Sequence, residues 1–235
     1  MNVAIIPSRI GSKRIRKKNI KSFYGKPIIL HTIEKIKKTG IFKKIIVSSD
    51  SIEVYKIVKK KKIFFHKRNS IYANDKSSTV QAVNSCLREL ENIKLSDNIC
   101  CIYPCATIFL KKDLIKGLKL LKKNKGKFVL PVTKFSHPIE RSFKLNKKGE
   151  ITNFNPNQIG RNTQKFNSKF HDVGQFYWGK FGTWKKNKTI LKNAIGFHIP
   201  DWRVSDVDDQ ESWEKLKFIY KNLLMKFNYD TTPTS

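Results

Sequence analysis

The sequence predicts an α/β fold: a mostly parallel central sheet with helices on both of its faces. Three observations predict it. Short apolar runs and amphipathic stretches alternate up to about residue 135, the pattern of a sheet assembled from strand–helix–strand units. The runs are continuously apolar, as in Val3-Ala4-Ile5-Ile6 and Ile45-Ile46-Val47, so those strands are covered on both faces. Several of them end in polar or charged residues: a basic loop after Ile6, Asp50, and Tyr103-Pro104. Open α/β sheets bind their ligands outside such carboxyl ends.

Taken in order, Val3 to Ile6 form the first strand. Pro27 to Gly40 is a helix, with Pro at its start, apolar residues spaced by three and four, and Gly at its end. A strand over Lys44 to Asp50 is followed by a short helix through Val54, Ile57 and Val58, then a short strand at Ile63-Phe64-Phe65. Val80, Val83, Leu87 and Leu90 mark a helix, Asn98 to Tyr103 a strand, Leu114 to Leu121 a helix, and Lys127 to Val132 a strand. From about Phe135 to Phe170 the alternation fails. Phe143 to Ile151 reads as a hairpin and Asn153 to Gln164 as a polar loop. A last helix runs from about Asp209 to Phe227, and Tyr229 to Ser235 reads as a frayed tail. The expected organisation is one domain over 1–228, with an insert at about 135–170 and a tail at 229–235.

Composition narrows the function classes. The net charge of +31 comes from 41 Lys and 8 Arg, spread in runs such as Lys35 to Lys38 and Lys122 to Lys127. Duplex-binding proteins gather charge on one face and read bases with Arg, so scattered lysine argues for a solvated surface. A basic nucleic-acid-binding protein is kept as the rival of another class. No apolar run approaches the ~18 residues of a membrane span, and the N-terminus lacks the basic-then-apolar order of a signal peptide. A cytoplasmic protein without membrane partners is expected. Cys86, Cys100, Cys101 and Cys105 form no C-x-x-C pair and read as buried free thiols.

Two segments carry chemistry. The loop from Pro7 to Asn19 combines Gly11 and Ser12 with Arg9, Lys13, Arg14, Arg16, Lys17 and Lys18. Small residues let backbone N–H groups approach phosphate oxygens, and the cations neutralise them; the alternative is a solvated basic loop. It is neither a Walker loop, since Ile6 stands where a glycine is required, nor a G-x-G-x-x-G fingerprint. Near the C-terminus, Asp206 and Asp208 are two residues apart, so on an extended segment both carboxylates point the same way. Such a pair suits Mg²⁺ shared with substrate phosphates. Helix capping by Asp208 or Asp209, with Glu211 following, is the other reading.

The segment Pro7-Ser8-Arg9-Ile10-Gly11-Ser12-Lys13-Arg14-Ile15-Arg16-Lys17-Lys18-Asn19 resembles the I-P-A-R-x-G-S-K-R-I-x-x-K-N signature of the CMP-sialic acid synthetase family. Ser8 stands for the usual alanine and Arg16 for the common proline. Arg203-Val204-Ser205-Asp206-Val207-Asp208 is similar to that family's R-V-x-D-I-D metal-binding element. His171-Asp172-Val173-Gly174-Gln175-Phe176-Tyr177-Trp178 is similar to the H-D-A-G-Q-F-Y-W segment of the members that act on pseudaminic acid. Ser136-His137-Pro138-Ile139-Glu140-Arg141 resembles their P-I-Q-R element, with Glu140 for Gln. Tyr103-Pro104-Cys105-Ala106-Thr107 resembles Y-P-T-A-P, and Arg68 falls at an R-P element whose proline is here Asn69.

The resemblance implies a three-layer Rossmann-like nucleotidyltransferase fold and a homodimer joined through the irregular insert. It implies a cytidylyltransferase that condenses CTP with pseudaminic acid, an acidic nine-carbon keto sugar, releasing pyrophosphate. Legionaminic or N-acetylneuraminic acid is the alternative sugar. An enzyme for the eight-carbon acid Kdo fits less well, because its loop reads S-x-R-L-P-G-K. The roles it implies are catalysis by Arg9, Lys18 and Asp206, and nucleotide binding by Pro7, Arg9, Gly11, Ser12, Lys13, Lys18, Asn19 and Arg68. Arg141, Gln175 and Tyr177 are assigned to the sugar, and Asp206 and Asp208 to Mg²⁺. His171 beside Asp172 is read as a structural pair, since neighbours on a strand face apart.

Overall fold

A computed structural model describes residues 1–227 apart from 62, 155, 159, 161, 163 and 165. The tail expected at 229–235 and parts of the polar loop at Asn153 to Gln164 lie outside the described residues.

Among the described residues, eight strands join in one sheet. They are β1 (Asn2–Pro7), β2 (Lys44–Ser49), β3 (Phe64–Lys67), β4 (Asn98–Ile102), β5 (Phe128–Lys134), β6 (Phe170–Asp172), β7 (Phe176–Lys180) and β8 (Ala194–His198). The helices are α1 (Ile28–Thr39), α2 (Ile52–Lys59), α3 (Thr79–Arg88), α4 (Lys111–Lys123), α5 (Phe181–Lys186) and α6 (Gln210–Phe227). β1 pairs in parallel with both β2 and β4, and β2 with β3. On the other side β7 runs antiparallel to β4, β6 antiparallel to β5, and β8 parallel to β5. The expected three layers and mostly parallel sheet are present, with an antiparallel strand inserted between β4 and β5.

Alternation along the strands builds the layers. Ala4, Ile6, Cys100 and Ile102 point to one core with Ile29, Ile33 and Ile36 of α1, Val54 of α2 and Leu114 of α4. Val3, Ile5, Ile99 and Cys101 point to the other, against Val80, Val83 and Leu87 of α3 and Trp184 of α5. The four cysteines are free, three of them buried as expected and Cys105 half-buried. Helix α1 has the expected ends, Pro27 at its start and Gly40 left-handed at φ 69° after it.

A third apolar cluster decides where the C-terminus sits. Trp213, Leu216, Ile219 and Leu223 of α6 pack on Phe23, Ile28, Ile15 of the basic loop, and Val207. Ile15 and Val207 thus bring two segments nearly two hundred residues apart into one contact.

The antiparallel strand contains the main departure from a regular ladder. Asp172 pairs with Val132, but Trp178 pairs with Val129, so six residues on one strand oppose three on the other. The extra Val173-Gly174-Gln175 forms a bulge between β6 and β7, and bulges re-aim side chains next to sites. The hairpin expected over Phe143 to Ile151 is formed by Phe143–Leu145 and Ile151–Asn153. It is exposed along its whole length.

Candidate active site

A cleft of about 550 Å³ opens at the carboxyl ends of β1 and β4. One wall is the basic loop, the opposite wall the segment from Ser205 to Asp208, and the far end is Tyr72 to Ala82. Ligand sites of this size and position are the rule for doubly wound sheets.

The basic wall is held by bonds within itself. The Asn19 side chain, buried, donates from Nδ2 to the Arg9 carbonyl at 2.9 Å. The Ser12 hydroxyl accepts from the Lys18 backbone N–H at 3.2 Å. Ser12 and Asn19 therefore fold the loop back on itself, as well as lining the cleft. Lys17, left-handed at φ 51°, turns the chain so that Lys18 reaches across. Its ammonium donates to the Val207 carbonyl and lies 3.6 Å from Asp208. Arg9 pairs with Asp75, and Lys13 lies 2.8 Å from the same carboxylate. These two cations hold the Asp75 carboxyl at a pKa of about 2. One acidic side chain so occupies two of the cations offered to the cleft.

The acidic wall is held from a distance. Arg203 makes a buried, two-pronged ion pair with Asp113 at 2.6 and 3.2 Å. The Arg203 carbonyl accepts from Gln175 Nε2 at 2.9 Å. The Ser212 hydroxyl accepts from the Asp208 and Asp209 backbone N–H groups at 2.9 and 3.0 Å. Between these anchors the chain is extended with Val207 buried, which turns Asp206 and Asp208 to the cleft. Helix capping falls to Asp209, whose Oδ1 accepts from the Ser212 N–H at 2.8 Å. The capping reading of the acidic run therefore falls on Asp209, which leaves Asp206 and Asp208 free of that role.

Asp206 is exposed to solvent within the cleft. Desolvation and the neighbouring Asp208 charge raise its pKa, and Lys18 and Arg14 oppose that rise. Arg14 lies 3.0 Å from Asp208. A carboxylate pair so disposed, with incomplete neutralisation, has the hard oxygen donors that Mg²⁺ takes. Gly174, at φ +60°, lies where a Cβ would come within 3.2 Å of the Asp206 carboxylate, so the bulge makes room for that side chain.

Of the residues singled out in the sequence, Pro7, Arg9, Ser12, Lys13, Lys18, Asn19, Arg68, Asp206 and Asp208 line this one cleft. Gly11 is exposed in the loop and does not line it. Arg141 sits on an exposed turn over Ile139–Arg141, also away from the lining. Gln175 and Tyr177 are buried behind the wall. Tyr177 donates to Asp172, whose other oxygen accepts from the Gly174 N–H at 2.9 Å. Tyr103, in edge contact with Tyr177, hydrogen-bonds Thr79 at 2.6 Å, and burial lifts its hydroxyl to about 12. His171 Nδ1 bonds the Asp172 carbonyl at 2.8 Å, in keeping with a structural pair. Sequence reasoning did not single out Asp75, Tyr72 or Gly174. The polar run Ser77-Ser78-Thr79 before an apolar-periodic helix was the available sign that this segment closes a site.

This geometry meets a family match. A model described as cytidylyltransferase matches residues 3–167. Pseudaminic acid cytidylyltransferase of Campylobacter jejuni is 33% identical over 225 residues, covering 94% of this chain and 96% of that protein. A Helicobacter pylori protein named pseudaminic acid cytidylyltransferase and UDP-2,4-diacetamido-2,4,6-trideoxy-beta-L-altropyranose hydrolase is 32% identical over 208 residues, covering 87% of this chain and 40% of its own length. A CMP:2-keto-3-deoxy-manno-octonic acid synthetase solved with CTP superposes with a TM-score of 0.70 at 17% identity, covering 94% of this chain and 98% of that one. The likeness to that structure is one of fold. The chain belongs to the cytidylyltransferase family and is a nucleotidyltransferase. Among the described residues no helix is long and apolar enough to cross a membrane.

Proposed function

We propose that this enzyme condenses CTP with pseudaminic acid to give CMP-pseudaminic acid and pyrophosphate. One observation carries the reading: Arg9 and Lys18 face Asp206 and Asp208 across a single cleft. The sugar assignment rests on the Campylobacter jejuni relative and on the segment His171 to Trp178. In-line attack by the anomeric hydroxyl on the α-phosphorus needs positioning and charge stabilisation more than covalent chemistry. Arg9 and Lys13 hold the triphosphate, with Ser12, Asn19 and Arg68 shaping the wall where the nucleotide lies. Lys18, anchored on Val207 and Asp208, stabilises charge at the leaving pyrophosphate.

Asp206 and Asp208 are the residues that would hold Mg²⁺. When bound, the ion neutralises phosphate oxygens and favours an ionised sugar hydroxyl. Arg141, Gln175 and Tyr177 remain our assignments for the sugar: Arg141 as a contact, Gln175 and Tyr177 as supports for the wall behind it. Exposed Phe143, Leu145, Ile151 and Phe154 are assigned to a homodimer interface within the 135–170 insert. The free thiols fit a reducing cytoplasm.

Pyrophosphate release with CTP and Mg²⁺, offering pseudaminic, legionaminic and N-acetylneuraminic acids in parallel, tests the reading. Release with pseudaminic acid alone supports it. Release with another sugar moves the sugar assignment, and no release from folded protein overturns the reading of the cleft as the site of this reaction.

A further inference from the structure

Behind the cleft wall a chain of polar contacts runs from Arg68 to residues that the proposed reaction does not use. Arg68 is buried (4% exposed) and lines the cleft. Its Nε donates to the Ser48 hydroxyl at 3.0 Å, Nη2 to the Ser48 carbonyl, and Nη1 to the Tyr72 carbonyl at 3.5 Å. A guanidinium has five N–H donors, so these three bonds leave two for a ligand. The Ser48 hydroxyl, fully buried, also bonds His66 Nδ1 at 2.8 Å. His66 Nε2 lies 3.1 Å from Glu89 Oε2, just past the end of α3.

Arg68 Nε–H can only donate, so it takes one lone pair of Ser48 Oγ. The Ser48 proton and a second lone pair both remain on the side of His66 Nδ1, so the Glu89 carboxylate decides between them. A bare Nε2 lone pair 3.1 Å from that carboxylate is repulsive, which places the proton of the neutral ring on Nε2 and leaves Nδ1 to accept from Ser48. Serine, histidine and glutamate in contact have the composition of a hydrolytic triad. Here no substrate reaches Ser48, because it is fully buried and its oxygen faces Arg68.

We propose that His66 is a positioning residue for the nucleotide: acting through Ser48, it holds the Arg68 guanidinium in the cleft wall, and it does so only while its imidazole is neutral. The inference rests on the reading of the cleft as a CTP site. Protonating Nδ1 puts a second donor against Ser48 Oγ, reverses the hydroxyl, and sets a cation behind Arg68. The charged and titratable groups facing the ring are Glu89 from the end of α3 and Arg68 after β3; Cys86 of α3, whose thiol burial lifts to about 12, stays neutral. Burial favours the neutral ring, and Glu89 works against that.

The test is CTP binding by calorimetry from pH 5 to 8, without sugar, on wild type and variants of the full chain. The ligand phosphate titrates in the same range, so the quantity read is the ratio of Kd values at each pH. His66→Asn keeps an acceptor near Nδ1 without a titrating ring; it should match wild type at pH 8 and bind several-fold tighter than wild type at pH 5. His66→Leu should bind roughly tenfold more weakly at every pH, with kcat kept at saturating CTP. Glu89→Gln, at an exposed site that leaves folding intact, should move the acid weakening to lower pH. The inference is overturned if His66→Asn follows wild type across the range, if His66→Leu binds normally, or if Glu89→Gln leaves the acid limb in place. Wild type that binds no CTP at any pH overturns the nucleotide reading, and this inference with it.

Discussion

The two walls of the cleft are built in opposite ways. The basic wall is local: Asn19 holds Arg9, and Ser12 holds Lys18, within ten residues of one another. The acidic wall is assembled from a distance, with Arg203 pinned by Asp113 and Gln175 from two other elements. Local bonds keep a loop's shape but leave its position to the strand that carries it. Distant bonds fix a position, so the acidic wall depends on the whole antiparallel half of the sheet being in register. Val207 and Ile15 then bring the walls to a common cluster.

The largest effects should come from the charges the walls present. Lys18→Ala and Asp206→Asn are each expected to cut turnover by about 10²–10³-fold with the circular dichroism spectrum unchanged. Because the raised Asp206 pKa reflects a carboxylate that the fold holds at a cost, Asp206→Asn should melt no earlier than wild type, which a thermal scan checks. An early-melting Asp206→Asn would make Asp206 part of the scaffold.

Next come the anchors. Arg203→Met leaves Asp113 buried and unpaired, expected to cost about 3–5 kcal/mol in urea unfolding. Asn19→Ala removes one local bond and should cost about 1 kcal/mol. Equal losses would erase the distinction between the walls. Gly174→Ala introduces a Cβ at a left-handed position against Asp206; about 1 kcal/mol of stability and a clear loss of turnover are expected.

Acid should loosen the scaffold around both helical layers. Burial lowers the pKa values of His31 and His66 below the ordinary 6.5. Each ring therefore binds its proton more readily unfolded than folded. Their contribution is complete above pH 6.5 and is lost as pH falls from 6.5 through the folded values. The melting temperature should drop over that window, and replacing either histidine by a neutral residue should flatten the drop. The smallest effect belongs to Asp75→Asn. It frees the half-buried Arg9 and the exposed Lys13, so the KM for CTP should fall about twofold at low salt and not at high salt.

Legibility followed the same division. The loop from Pro7 to Asn19 could be read because its residues lie in one stretch and its bonds are local. The first strands and helices could be read because burial on both sides leaves continuous apolar runs, and α1 carries its own stop and start signals. The acidic pair was visible as Asp206-x-Asp208, yet its division of labour with Asp209 appears only where the Ser212 bonds are seen. The hairpin was anticipated close to its place. The bulge at Val173 to Gln175 was not, since its existence depends on a mismatch of register with β5. His66 and Arg68, two apart and so on one side of an extended segment, were a visible hint of the relay; its middle member, Ser48, lies on another strand.

The sequence by itself determined the α/β class, the basic Gly/Ser loop and the paired carboxylates, because periodicity and short spacing are properties of contiguous residues. Only the tertiary structure decided that the two charged segments share a cleft, that Gln175 and Tyr177 stand behind its wall, and that Arg68 is held by His66 through Ser48. Those facts depend on hydrogen bonds and packing between elements far apart in the chain, which exist only once the sheet has closed in one register.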